Sequence, residues 1–259
     1  MDLTPKVYSD GFLVRSLAIT YHDGFVVGNH AHAWGQLIYG TSGVMCVSAA
    51  SKVWFVPPTR AIWLPPKQNH SIRMLGDVAM RTLYLAPAIS SSLAEEVVAL
   101  EVSPLLREVV LHVHDLEMLV EDDSGHDRLA GVLVDLLSDA PIGQLCLPLP
   151  IDSRAVAAAQ WMQENPGELL DLRSIAKHHG CSLRTLQRLF TRETGLTLDA
   201  WRQKARLIYA VTQLSNGNNV TEAALLCGYN STSAFIAAFK KLFGVTPGRF
   251  TVSDRVSQN

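Results

Sequence analysis

No run of about 18 apolar residues occurs anywhere in the sequence, so no bilayer-spanning helix is expected. Cysteine is scarce. Cys46, Cys146, Cys181 and Cys227 stand far apart and make no Cys-x-x-Cys pair, which excludes a clustered structural zinc site and favours free thiols in a reducing compartment. The first residues, MDLTPKVYSDG, lack the basic-then-apolar order of a secretory leader, so a cytoplasmic location is expected. There is no Ser-His-Asp order with a nucleophile elbow and no phosphate loop. Charge is sparse at 18% against 48% hydrophobic residues, which excludes a disordered chain. What remains is 259 residues able to form one large core or two small ones.

The charge is unevenly placed. Residues 1–150 carry 9 Lys/Arg against 16 Asp/Glu, a net of -7, while residues 151–259 carry 13 against 8, a net of +5. An acidic front and a basic back fit two domains with different partners. From 7 to 90 the chain is a series of short apolar runs, such as GQLIYGTSGVMCVSAA, KVWFVPP and RAIWLPP, punctuated by Gly43, Pro57, Pro58, Pro65 and Pro66. That texture predicts many short strands closed into a barrel or sandwich. From Ser90 the pattern changes. SSLAEEVVALE, SPLLREVVLHVHDL and HDRLAGVLVDLLSDA place apolar residues at helical spacing, with Ser103-Pro104 as a helix start. PIGQLCLPLP holds three prolines in ten residues and reads as an extended connector. The expected division is therefore a front domain over 1–140, a linker over 141–151 and a helical domain over 152–259.

The helical half contains a repeat. SLRTLQRLFTRETGLT (182–197) aligns with STSAFIAAFKKLFGVT (231–246) at an offset of 49, matching Ser182 with Ser231, Leu186 with Phe235, Phe190 with Phe239, Gly195 with Gly244 and Thr197 with Thr246. Each serine can cap a helix, each apolar pair can face a core, and each glycine can end its helix in the left-handed region. A short alanine-containing helix precedes each copy, so each makes a helix-turn-helix, and one longer helix from Leu198 to about Leu214 separates the two. The reading helix expected in the first copy exposes Arg184, Thr185, Gln187 and Arg188, residue types that pair with purine edges or phosphates. The second offers Ser231, Thr232, Ser233 and Lys240, a set better suited to phosphate contact. Arg202, Lys204 and Arg206 on the separating helix either add backbone contacts or simply solvate it.

IAKHHGCSLRTLQRLFTRETGLT and ALLCGYNSTSAFIAAFKKLFGVTPGRF resemble the DNA-binding domain of the AraC/XylS family of transcription regulators, down to Gly228-Tyr229, Phe243-Gly244-Val245-Thr246-Pro247 and Phe250. The resemblance implies two helix-turn-helix units entering the major groove of double-stranded DNA about one turn apart. The front half is similar to the cupin-like sensor domain of the same family, nearest to the nitroimidazole-response repressor subgroup. The implied fold is an all-β cupin-like barrel with C-terminal helices of its own, then an all-α domain with two tandem helix-turn-helix units.

Gly24, His30, His32, Gln36 and Gly43 fall at the spacing of the first cupin metal motif, with glutamine where glutamate is expected. Pro65 to His70 match the second, with Lys67 in place of its glycine. His30 and His32, two apart on a strand, would point the same way, and His70 on a facing strand would supply a third imidazole. Three nitrogens and the Gln36 amide oxygen form a donor set for a divalent metal. The same residues with Trp34 equally form the polar wall of a pocket for a small-molecule effector, and histidines pairing inside a core are the third reading. Tyr39, Trp54 and Trp63 are either stacking surface or core, with core favoured for Trp63. The leading expectation is a DNA-binding regulator, not an enzyme, switched by an effector and acting as a homodimer through the helices after Ser90, with RNA polymerase as partner if it activates. The alternative is a metal-dependent cupin enzyme, a dioxygenase or isomerase, with a helical protein-interaction extension. Activation or repression depends on operator position, which the chain does not encode.

Overall fold

The structure is a computed structural model that describes residues 10–143, 146–168, 170–243 and 246–248. Gly244, Val245 and Phe250 of the signature lie outside the described residues. Eight strands come first: β1 (Phe12–Tyr21), β2 (Val26–His30), β3 (Gly35–Ile38), β4 (Val44–Ala49), β5 (Lys52–Val56), β6 (Arg60–Leu64), β7 (His70–Leu75) and β8 (Val78–Leu85). Then follow α1 (Pro87–Ser90), β9 (Val98–Glu101), α2 (Pro104–Asp115), β10 (Met118–Val120), α3 (Ser124–Ser138), β11 (Ile142–Gly143) and β12 (Cys146–Pro148). The remainder is helical: α4 (Ser153–Glu164), α5 (Leu172–His178), α6 (Leu183–Thr194), α7 (Leu198–Ser215), α8 (Val220–Leu226) and α9 (Thr232–Phe243).

The strands form two antiparallel sheets, ordered β10-β1-β8-β3-β6-β9-β11 and β12-β5-β4-β7-β2. Ile38, Met45, Val47, Trp54, Ile62 and Met74 fill the space between them. The outer face of the larger sheet is covered by α2 and α3, whose Leu106, Val110, Leu133 and Leu137 pack on Leu37, Trp63 and Leu83. On the outer face of the smaller sheet, Val44, Val53, Phe55 and Leu147 join one core with Ala159, Ile208 and Val211 of the helical half. Both sheets are thus covered on both faces. This explains why β3 and the last four residues of β6 are buried without interruption, where a half-exposed strand would alternate.

The barrel and the helical half are hydrogen-bonded as well as packed. Trp201 Nε1 donates to Pro148 O at 2.7 Å, tying α7 to the last strand of the barrel. Glu193, near the end of α6, accepts from the backbone N–H groups of Ile151 (2.8 Å) and Asp152 (2.9 Å).

Two sequence expectations need correction. Ser91 to Glu101 is not a helix: its end is β9, which pairs with β6 through Ile62 opposite Ala99 and is fastened by an Arg60–Glu101 ion pair of 2.6 Å. The apolar spacing there is too short to separate helix from strand, and an unpaired edge of β6 decides the matter. The 141–151 linker is extended, as its prolines require, but it is no free connector. β11 pairs with β9 and β12 with β5, so the barrel reaches Pro148.

Candidate functional site

The histidines converge. His30 ends β2 directly opposite His70, the first residue of β7, and their ring centroids are 4.2 Å apart. His32 lies beyond the end of β2, in the turn before β3, and not on the strand as the two-residue spacing implied. Its ring still closes on His70, at 5.3 Å. The ligand nitrogens of the three rings all fall within 4.8 Å of one another.

Their hydrogen bonds fix the tautomers. His30 Nδ1 meets Gly28 O at 2.8 Å, His32 Nδ1 meets Trp34 O at 2.7 Å and His70 Nδ1 meets Gln68 O at 2.9 Å. A carbonyl only accepts, so each Nδ1 carries a proton, and in the neutral ring each Nε2 keeps its lone pair. Histidine ligands to metals are oriented in this way, by a second-nitrogen N–H on a backbone carbonyl. His70 is fully buried, and its Nε2 has no partner among the described residues. Burial pushes its pKa down to about 4, against a smaller opposing effect of the Gln68 hydrogen bond, so the ring is neutral at physiological pH.

Gln36 is 1% exposed and belongs to the cluster. Its Nε2 donates to Thr82 Oγ1 at 3.0 Å and Tyr84 Oη at 3.3 Å, while its Oε1 lies 2.8 Å from His32 Nε2. Turning the amide round is disfavoured, because the Thr82 hydroxyl already donates its hydrogen to Leu37 O at 2.9 Å. With His32 neutral, two acceptors face each other, an arrangement that a shared cation or a proton on His32 Nε2 relieves. Lys67, in the place of the second motif's glycine, adopts the left-handed φ of 65° that a glycine would supply, and its N–H donates to His32 O at 2.7 Å. The replacement leaves the turn intact.

The aromatic residues divide. Trp34 touches the cluster through its carbonyl, whereas its ring lies 4.9 Å from the Arg15 guanidinium. Tyr39 and Trp63 pack under α2 and α3, outside the sandwich, so neither lines the histidine pocket. Trp54 is core between the sheets. Tyr84, whose ring meets His32 edge-on at 5.1 Å, and Thr82 are members that the sequence reading missed. Their signal is present: two hydroxyls two apart on one strand share a face.

The helical half bears out the repeat. α5 and α6 form one helix-turn-helix, α8 and α9 the second, and α7 separates them. Leu186 and Phe190 of α6 and their counterparts Phe235 and Phe239 of α9 are all fully buried. Ser182 and Ser231 accept from the backbone N–H three residues on, at 3.1 and 3.2 Å. Gly195 ends α6 with φ 72°. Arg184, Gln187 and Arg188 are exposed, and none makes a side-chain hydrogen bond or ion pair to another described residue. Thr185 is half-buried, its hydroxyl 2.9 Å from Ser182 Oγ at the cap. On α9, Ser233 and Lys240 are exposed, Thr232 is half-buried, and Ser231 serves as cap. Arg202 and Arg206 are half-buried, and both donate to Glu168 O, at 2.6 and 2.9 Å, which pins the loop before α5.

Comparison with known proteins agrees with this division. Residues 14–146 match the AraC-like ligand binding domain, and residues 175–252 match a helix-turn-helix domain. The chain is 34% identical over 221 residues to the HTH-type transcriptional regulator NimR of Escherichia coli K12, covering 85% of this chain and 81% of that protein. It is 36% identical over 104 residues to the regulator RipA of Corynebacterium glutamicum, a match spanning 40% of this chain and 31% of that one. Among solved structures, ToxT of Vibrio cholerae aligns over 93% of this chain and 98% of its own, with 10% identity and a TM-score of 0.40.

Proposed function

Because the chain belongs to the AraC family of transcriptional regulators, with an AraC-like ligand-binding domain before a DNA-binding helix-turn-helix domain, we propose that a divalent transition metal at His30, His32 and His70 is the effector or its anchor. Gln36 Oε1 would be the fourth donor. The observation that carries this reading is the set of three Nδ1–H bonds to backbone carbonyls, which leaves three Nε2 lone pairs in one place beside the Gln36 oxygen. Three imidazoles and a neutral oxygen suit zinc, nickel, copper or iron better than magnesium or calcium. Gln36 offers no carboxylate to act as a base, which disfavours the enzyme alternative.

Arg184, Gln187 and Arg188 of α6 are assigned to base edges, and Thr185 to a base or phosphate. Ser231, Thr232, Ser233 and Lys240 are assigned mainly to phosphates. The partner is double-stranded DNA, which puts the protein in the cytoplasm, and no described helix is long and apolar enough to cross a membrane. α2 and α3, with exposed Leu105 and Val132, are the proposed homodimer face. RNA polymerase is a further partner if the protein activates.

A metal changes DNA binding only through its different affinity for two states of the protein. The test is DNA affinity of the full chain for a sequence selected from a random library, measured by anisotropy with zinc and with chelator. The expected result is a change of about tenfold or more, which His70→Ala abolishes. Equal affinity in both conditions, in a protein that binds zinc, sinks the metal as effector.

A further inference from the structure

The two helix-turn-helix units carry different chemistry at matching positions. The repeat puts Ser233 where Arg184 stands, Ala234 where Thr185 stands, Ile236 where Gln187 stands and Ala237 where Arg188 stands. The structure gives α6 and α9 the same orientation about their axes. Leu186 and Phe190 are buried on α6 as Phe235 and Phe239 are on α9. Each helix starts from a serine cap, Ser182 or Ser231. The exposed faces therefore correspond position by position.

On α6 that face is polar and charged. On α9 its middle is alanine. Ala237 is exposed and stands opposite the buried Phe235 and Phe239. Ala234, one turn before it on the same face, is exposed too, and Ile236 at the margin is half-buried. Lys240 and Lys241 follow in the next turn, both exposed. A single exposed alanine is ordinary on a helix that meets only water. Here the alanines hold the positions that carry the readers of the first unit.

An alanine side chain neither donates nor accepts, so it cannot pair with a purine edge. Its methyl group matches one feature of the major groove, the C5-methyl of thymine. Over guanine, adenine or cytosine it covers polar groups without pairing them, which costs affinity. Its short reach also lets the helix lie close to the base edges.

We propose that α9 reads thymine methyl groups through Ala234 and Ala237, while Lys240 and Lys241 meet the phosphates beside them. The DNA site then has two unlike halves about one helical turn apart. One is read by α6 as hydrogen-bonding edges, the other by α9 as a pattern of thymines. The inference rests on the reading that both units enter the major groove.

The first test uses the full chain without substitution. A site selected from a random library is remade with deoxyuridine for each thymine in turn. This removes one methyl group and leaves every hydrogen-bonding group in place. Affinity is measured by anisotropy at one fixed salt concentration. One or two thymines in one half of the site are expected to lose about three- to fivefold each, the worth of one buried methyl group. Ala234→Gly and Ala237→Gly each remove the opposing methyl, so each is expected to abolish the uracil effect at its own thymine and keep it at the other, as coupled partners do. Ala237→Arg, which copies Arg188, is expected to select guanine in place of that thymine. If the glycine variants do not fold, the uracil scan and the Ala237→Arg selection decide. A selected site in which no thymine responds to uracil overturns the proposal and leaves α6 as the base reader. A uracil effect undiminished in both glycine variants overturns it as well. If no sequence is selected at all, the DNA reading falls first and the methyl reading with it.

Discussion

Replacing Gln36 by glutamate restores the carboxylate of the cupin metal motif and should move stability and metal affinity in opposite directions. In the metal-free protein the substitution removes a buried donor. Gln36 Nε2 serves Thr82 Oγ1 and Tyr84 Oη, at 3.0 and 3.3 Å. Tyr84 can turn to donate to the new carboxylate, but Thr82 cannot, since its hydrogen goes to Leu37 O. One carboxylate oxygen is left against a lone pair in a site 1% exposed. An unsatisfied buried group costs about 2 kcal/mol, which is roughly 4–8 °C of melting temperature in a protein of this size. With metal the sign reverses. A unit charge pair at about 4 Å is worth ~4 kcal/mol at an effective dielectric near 20, and desolvation of the carboxylate offsets much of it. A remainder of about 1.4–2.8 kcal/mol is ten- to hundredfold in affinity. Thermal melts in chelator and in zinc, with zinc affinity from a competing chelator, measure both. A Gln36→Glu protein that melts like its parent in chelator and binds zinc no tighter would refute the geometry given to this cluster.

Four further outcomes are expected. Lys67→Gly relieves a left-handed φ of 65° and stabilises the barrel by about 0.5–1 kcal/mol in denaturant melts, whereas a destabilised variant would mean that the Lys67 side chain holds the turn. Glu193→Ala leaves the N–H groups of Ile151 and Asp152 without their carboxylate and costs about 1–3 kcal/mol, read as a lower denaturant midpoint; an unchanged midpoint would show that water replaces the clamp at no cost. Arg184→Ala and Gln187→Ala, each on an exposed face of α6, should lower affinity for a selected DNA site by about 1–3 kcal/mol with the fold intact by circular dichroism, and unchanged affinity in both would remove α6 as the base reader. His70 has a folded pKa of about 4, below its ordinary 6.5. Between these values the unfolded chain takes up a proton that the folded chain refuses, so metal-free stability is full above pH 6.5 and declines as pH falls toward 4. Melts across that range on the parent and on His70→Gln check it, the variant showing the shallower decline.

The sequence by itself determined the kind of protein. The 49-residue repeat with its serine caps and paired apolar positions needs only local rules, and the buried Leu186, Phe190, Phe235 and Phe239 obey them. The histidine and proline spacing likewise marked out His30, His32, Gln36 and His70 as one set. Tertiary structure decided what local rules cannot. It turned Val98 to Glu101 into a strand, because the free edge of β6 outweighs a weak helical spacing. It drew the linker into both sheets, because those edges also needed partners. It chose which aromatic residues face the histidines: strand alternation sends Tyr84 inward and Tyr39 outward, and only the assignment of faces says which side is the pocket. The tautomers of the three histidines depend on carbonyl groups positioned by turns. Chemical identity was written in the order of residues, and the direction in which each residue acts was set by what packed against it.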